Sequence, residues 1–318
     1  VTLLSACANP APIPPAPRVS GLNSYVSGAA AYQAGDTEKA QPLLEQAVNS
    51  NPNLVSAHQL LGDLYRKKQD FVRAGDQYAA FVRLDPYNFK SHYDFALACQ
   101  LMDRLQEAAQ AYLEALLLSP RDLNSNMNLG LVYLALGKTD DAVASLQLAT
   151  EIDPHSAAAF CNLGVAQETA GQIRRAETAY RRAMELDPGM IVAMVDLGSN
   201  LVRQDRGEEA TIVLQAAAKK TNTTLVHELL GNAMVLNHRD DDARKEYDAA
   251  LRVDPRYWPA MNQIGLILMR KYQAGLTLDE NLRRSAVALW QQSLSIHPGQ
   301  AQIGVLVQQW NQSGQLTP

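Results

Sequence analysis

The sequence predicts an all-α fold built of short helix hairpins stacked one after another, and three observations carry that prediction. Prolines fall at positions 52, 86, 120, 154 and 188, four successive steps of 34 residues, and resume at 255 and 298. Small residues recur in register with them, as Gly28, Gly62, Ala96, Gly130, Gly164, Gly198, Gly231 and Gly265, and again as Ala40, Ala74, Ala108, Ala142, Ala176, Ala210, Ala243 and Ala286. Hydrophobic residues make up 47% of the 318-residue chain but aromatics only 6%, so Ala and Leu carry the burial, which favours closely packed helices. Length alone suggests about two domains. The period instead makes residues 21–300 one continuous run of units.

The first twenty residues stand outside the period. The chain opens Val1-Thr-Leu-Leu-Ser-Ala-Cys7, and residues 1–6 read as the end of a signal peptide, with Ser5 and Ala6 small enough for a cleavage site. Leu4-Ser5-Ala6-Cys7 resembles the bacterial lipobox. That resemblance implies a diacylglyceryl group on the Cys7 thiol and acylation of the amine exposed by cleavage. A thiol is needed there because it is the strongest nucleophile available for thioether formation, and two or more acyl chains give durable anchoring. Ala8 follows the cysteine where an Asp would signal inner-membrane retention, so the expected location is the periplasmic face of a bacterial outer membrane. Residues 7–20 then read as a lipidated tether. Pro10, Pro12, Pro14, Pro15 and Pro17 favour extended polyproline II, which rises about 3.1 Å per residue, so this stretch spans roughly 40 Å.

From residue 21 each unit justifies two helices. A third column alternates Leu and aromatics (Leu44, Tyr78, Tyr112, Leu146, Tyr180, Leu214, Tyr247, Trp290), and an apolar residue precedes the small-residue column at Leu61, Phe95, Leu129, Leu163, Leu197, Leu230 and Ile264. Glycine inside a helix costs about 1 kcal/mol relative to Ala. Close approach of a paired helix explains why it recurs, with the Leu or Tyr filling the space beside it. An Asn or Asp precedes the proline in Asn51-Pro52, Asp85-Pro86, Asp153-Pro154, Asp187-Pro188 and Asp254-Pro255, which ends one helix and sets up the next. Helices are expected over 55–68 and 71–84, repeating at the same spacing. Residues 300–318 read as a capping helix, ending near Trp310, and a tail.

A 34-residue unit with these columns resembles the tetratricopeptide repeat. The resemblance implies a right-handed α-solenoid of about eight helix hairpins, with units starting near 21, 55, 89, 123, 157, 191, 224 and 258. Departures mark particular units. Asn222 replaces the expected proline in a 33-residue repeat, which predicts a slight bend. The eighth unit carries about nine extra residues between its helices, around 272–280, which predicts a loop extension on one face.

Chemistry is sparse. The 28 basic and 33 acidic residues leave a net charge of −5, too balanced to point to nucleic acid. Three cysteines make no disulfide scaffold, and no run of 18 apolar residues exists. His58, His92 and His227 share one repeat position, where the family commonly packs an aromatic, and no metal-binding spacing appears. Arg174-Arg175 and Arg181-Arg182 read as the solvated face of one helix. Glycines never cluster into a phosphate-cradling loop, and no catalytic residue, metal site, cofactor or small-molecule substrate is expected beyond the lipid on Cys7.

Binding remains. In the repeat family the first helix of each unit lines a concave groove, and the resemblance carries that role to Tyr93, Leu97 and Gln100, to Met127, Leu131 and Leu134, and to Cys161, Val165 and Glu168. It continues through Val195, Ser199 and Val202 to Glu228, Asn232 and Val235. The middle of the groove is therefore expected to be apolar, and its entrance, at Tyr25, Tyr32, Gln59, Asp63, Arg66 and Lys67, more polar. The regularly placed Lys, Arg and Asn of carboxylate-clamp repeats are missing, so an apolar or amphipathic peptide of an envelope protein is the expected partner. Lipobox, tether and repeats together resemble outer-membrane tetratricopeptide lipoproteins. That resemblance implies a non-catalytic scaffold for envelope assembly, pilus or secretin biogenesis first among the options. A permanent subunit of an envelope complex, or an adaptor for peptidoglycan- or polysaccharide-processing proteins, is the alternative.

Overall fold

A computed structural model describes residues 21–275 and 279–312. Cys7, the proline tether and the tail beyond 312 lie outside the described residues. All regular structure among the described residues is helical. Two compact units divide after Gly137, between the two helices of the fourth repeat. The first holds α1 (Leu22–Gln33), α2 (Thr37–Ser50), α3 (Val55–Lys67), α4 (Phe71–Leu84), α5 (Phe89–Leu101), α6 (Leu105–Leu118) and α7 (Leu123–Ala135). The second begins with α8 (Thr139–Ile152), α9 (Ala157–Thr169), α10 (Ile173–Leu186), α11 (Ile191–Arg203) and α12 (Gly207–Ala218). It continues with α13 (Thr224–Leu236), α14 (Asp240–Val253), α15 (Trp258–Ala274), α16 (Glu280–Ile296) and α17 (Ala301–Gln312). The expected fold class holds: within each unit successive helices pack as hairpins, and each hairpin packs on the next.

The turns between hairpins explain the Asx-Pro pairs more fully than helix termination alone. Proline supplies no N–H, and the side chain ahead of it accepts the following amide instead. Asn51 Oδ1 takes Asn53 N at 3.1 Å, Asp153 takes His155 N at 2.9 Å, and Asp187 and Asp254 take Gly189 N and Arg256 N at 2.8 Å. Side-chain caps start only some of the first helices: Asp122 accepts Ser125 N at 2.7 Å and Ser156 accepts Ala159 N at 3.2 Å, whereas α3, α11 and α15 begin without one.

The histidine column serves the same turn, which corrects its reading as a packing aromatic. His58 Nε2 and His92 Nε2 reach the carbonyl oxygens of Pro52 and Pro86 at 3.0 and 2.8 Å, and Asn126 Nδ2 reaches Pro120 O at 3.3 Å. Each ties a first helix to the turn before it. Where Asn222 stands for the proline, His227 Nε2 bonds the Asn222 side chain at 2.7 Å, so the column adapts to the shortened repeat.

The core confirms why glycine recurs. A Cβ on Gly62 would stand 2.7 Å from Tyr78 Cε1, and one on Gly164 2.5 Å from Tyr180 Cε1. On Gly231 it would stand 2.6 Å from Tyr247 Cε1, and on Gly265 2.7 Å from Trp290 Cε2. The large side chain of the second helix lies directly on the backbone of the first.

The eighth unit departs from expectation. Its extra residues lengthen both helices to 17 residues, against 12 to 14 elsewhere in the repeats, rather than forming a long loop. The added turn is used internally. Tyr272, 7% exposed, donates to Glu280 at 2.9 Å and meets Trp310 of α17 edge-on at 6.1 Å. On its outer side Arg270 and Lys271 pair with Asp240 and Asp241 in the first turn of α14.

Candidate functional site

The first helices of the hairpins stand side by side within each unit, α1 beside α3 in the first and α9, α11 and α13 in the second. Side chains spaced three and four residues along them share one face. Of the expected groove residues, Tyr93, Leu97, Met127, Leu131, Leu134, Val165, Val195 and Val202 are all half-buried. Tyr93 stacks on Phe89 at 5.8 Å and meets Tyr112 edge-on at 5.9 Å. Val165 and Val202 pack against the core of the second unit, and Val195 against a small cluster of Met194, Ala217 and Val226. Cys161 requires a correction. It is 2% exposed, with its thiol turned to Asp196 Oδ2 at 3.8 Å, so it presents no surface to a partner.

The face is also more polar than an apolar stripe. The aromatic residues of the second helices cross beneath the glycines and deliver their hydroxyls to groove positions. In the first unit Tyr78 donates to Asp63 at 2.7 Å and accepts from Arg66 Nε at 3.2 Å, while Tyr112 donates to Gln100 at 2.8 Å. In the second, Tyr180 donates to Glu168 at 3.0 Å and Tyr247 to Asn232 at 2.6 Å. Tyr257 donates to Glu228. Each hydroxyl fixes the rotamer of a polar side chain that would otherwise be mobile. The repeats with Leu44, Leu146 and Leu214 at this column lack the device.

A second polar column went unread in the sequence, although it recurs every 34 residues as Asp94, Asn128, Asn162 and Asp196. Two of its members bond back to the preceding repeat. Asn128 Nδ2 donates to Tyr93 Oη at 3.4 Å, and Asp196 accepts from Cys161, each partner lying 35 residues earlier. Asp94 instead takes Lys90 Nζ at 2.5 Å; burial raises its carboxyl above the usual range, and the Lys90 bond opposes that rise. Asp196 is raised further, to about 6, by burial and then by the nearby Glu168. Burial, followed by the Asp196 charge, pushes the Cys161 thiol up to about 12, so it is a poor nucleophile.

Between α9 and α11 the face opens into a cleft of 460 Å³ lined by Val165, Glu168, Thr169, Tyr180, Asp196, Ser199 and Arg203. Arg203 Nη1 closes one wall on Glu168 Oε1 at 2.5 Å. Of the paired arginines, Arg181 bridges Glu177 and Glu209 at 2.9 and 2.8 Å, and Arg182 holds Glu185 at 2.9 Å. Among the described residues no group of three or more His, Cys, Asp or Glu side chains is placed to hold a metal ion, and no helix is long and apolar enough to cross a membrane.

Comparison with known proteins agrees with this architecture. Tetratricopeptide repeat family models match residues 25–89 and 157–190, and a TPR repeat model matches residues 130–171. No curated protein sequence matches the chain. Among solved structures, a tetratricopeptide repeat protein from Parabacteroides merdae is similar at 12% identity and a TM-score of 0.58, over 92% of this chain and 98% of that one. Pseudomonas aeruginosa PilF is similar at 17% identity and a TM-score of 0.56, over 65% of this chain and 94% of its own. YrrB, a protein with an unusual peptide-binding site, is similar at 18% identity and a TM-score of 0.51, over 64% and 99%. At these identities the likeness is one of fold. The family models assign tetratricopeptide repeats to residues 25–89 and 130–190, and the 34-residue period, the hairpin packing and the small-residue column extend the same repeat architecture through the other hairpins.

Proposed function

We propose that this protein is a non-catalytic scaffold that holds a client peptide along the inner face of its first helices. The observation that carries the reading is the composition of that face. Half-buried apolar side chains, Leu97 and Leu131 in the first unit and Val165 in the second, stand beside polar side chains already fixed by tyrosine hydroxyls. Such a surface offers apolar contact area and preorganised hydrogen-bonding groups together, which suits an amphipathic segment. The peptide-binding site of YrrB, on the same fold, is in keeping with it.

The finer reading adds a location and a system. Cys7 in its lipobox context is lipidated, the proline tether holds the repeats clear of the periplasmic face of an outer membrane, and the client is an envelope protein under assembly, a pilus or secretin component foremost. Anchoring confines scaffold and client to one surface and so raises their effective concentration.

The test is photo-crosslinking in intact cells, with mass spectrometry of both the adduct and the mature N-terminus. Leu97→Asp, Leu131→Asp and Val165→Asp together are expected to reduce client capture at least about tenfold, because each puts a charge into an apolar contact. A thermal melt confirms that the variant remains folded. Undiminished capture by a folded variant would sink the groove reading. A mature Cys7 without acyl mass would remove the membrane claim and leave the groove untouched.

A further inference from the structure

The cleft between α9 and α11 contains one charge that the protein does not balance. Glu168 is fully engaged, accepting Arg203 Nη1 at 2.5 Å and the Tyr180 hydroxyl at 3.0 Å. Arg203 is spent on that same pair. Asp196 has only the weak Cys161 thiol at 3.8 Å, and among the described residues no Lys, Arg or His side chain lies within ion-pair distance of it. Two acidic groups and one basic group therefore face the cleft, leaving it net negative. Val165 supplies an apolar wall beside the free carboxylate, and Ser199 adds a hydroxyl.

We propose that this cleft is a socket for a lysine or arginine side chain of the client peptide, with Asp196 as the counter-charge. The inference rests on the groove reading above and names the chemistry of one contact within it. A basic side chain fits both features of the cleft: its methylene stem packs on Val165 while its head reaches Asp196. A carboxylate ligand is disfavoured, because the one cation present is already neutralised by Glu168 and two like charges would oppose it. The physical gain comes from desolvation that the free protein has already suffered. A half-buried carboxylate without a cation is costly, and here it responds by holding its proton more tightly than an ordinary Asp. A cation supplied by the partner relieves that cost, so its contribution to affinity exceeds that of an exposed ion pair.

The test uses four acetylated and amidated peptides of one amphipathic sequence, differing only in a central Lys, Arg, norleucine or Glu. Each is titrated by fluorescence anisotropy against the full chain and against Asp196→Asn, which keeps the acceptor for the Cys161 thiol. The Lys and Arg peptides are expected to bind about tenfold more tightly than the norleucine peptide, and Asp196→Asn to abolish that preference. Equal binding of the Lys and norleucine peptides, or a preference that survives Asp196→Asn, overturns the socket while the groove stands. Failure of every peptide to bind overturns the groove reading and the socket with it. Carboxyl-carbon NMR gives an independent readout: saturating Lys peptide should lower the Asp196 titration midpoint, and the norleucine peptide should leave it in place.

Discussion

At the scale of single residues, the groove face is governed by which polar groups are provided for. Glu177 shows the common solution. Burial pushes its carboxyl up, but hydrogen bonds from Gln204, Arg181 and Arg206 outweigh that and hold it below the usual range. Asp94 and Asp196 depart from it, both raised by burial, Asp196 furthest, from 3.8 to about 6, with Glu168 adding to the rise. The direction has a consequence for stability. A carboxyl whose midpoint is higher in the folded chain than in the unfolded one favours folding fully below the unfolded value, and that contribution is lost as the pH rises through the folded value. The loss here falls between about pH 4 and pH 6 and is complete at neutral pH. Asp196→Asn is therefore expected to raise the melting temperature by a few degrees near pH 7.5 and by clearly less near pH 4. Equal shifts at the two pH values, measured by differential scanning calorimetry, would show that Asp196 is not held in a desolvated site. Cys161 marks the limit of reading such positions from sequence. Its repeat position faces the groove, yet the same spacing also brings it beneath Asp196 of the next repeat, where it is buried with its thiol turned to that carboxylate.

At the scale of helices, the glycine column sets how closely paired helices approach. In an open helix Gly→Ala gains about 1 kcal/mol from backbone entropy. At Gly265 the new methyl meets the indole of Trp290, a side chain with no exposed surface whose Nε1 is bonded to Asn262 O at 3.2 Å. Overpacking of this kind costs about 1–3 kcal/mol and here exceeds the helix gain. Gly265→Ala is expected to destabilise the chain by about 1–2 kcal/mol in urea titration, and a second substitution, Trp290→Leu, to couple favourably with it in a double-mutant cycle. The third repeat shows the accommodation nature makes, with Ala96 and Tyr112 both fully buried. Element order and boundaries were legible in the sequence, because 34-residue spacing of proline and glycine records turn and contact directly. The hydrogen bonds of Tyr78, Tyr112, Tyr180 and Tyr247 were not, because a column of Leu and Tyr reads as packing until the hydroxyls are placed. The Asp94, Asn128, Asn162 and Asp196 column was periodic and so discoverable. It was hidden by lying one residue from the apolar positions on the same helices. The extra residues near 272–280 were visible, but whether they form a loop or extend two helices depends on α17, whose Trp310 and main chain receive Tyr272 and Arg283.

At the scale of the molecule, a stack of repeats gains its stability from neighbour contacts, so an end repeat left uncovered is the weak point. The C-terminal end of the second unit meets that demand with α17. Ile303 is 9% exposed, and Leu306, Val307 and Trp310 pack against the core that contains Trp290 and Ile267. Asn262 Nδ2 reaches Gln300 Oε1 at 2.5 Å, so the turn leading into α17 is tied to α15. Burying two large apolar side chains is worth about 3–6 kcal/mol at about 1.5–3 kcal/mol each, well above what an exposed loop contributes. Removing residues 300–318 is therefore expected to do more than trim a tail. Because each repeat depends on the next, the loss should be graded: amides of α15 and α16 lose most hydrogen-exchange protection, α13 and α14 less, and α9 and α10 little. Trp310→Ala, which keeps α17 but removes its largest contact, should show the same gradient with smaller amplitude. Protection unchanged in α15 and α16 after truncation would mean that α17 does not cap the stack. A uniform loss through α9 would mean that the second unit melts as one cooperative block rather than by repeats, and the same exchange data distinguish the two.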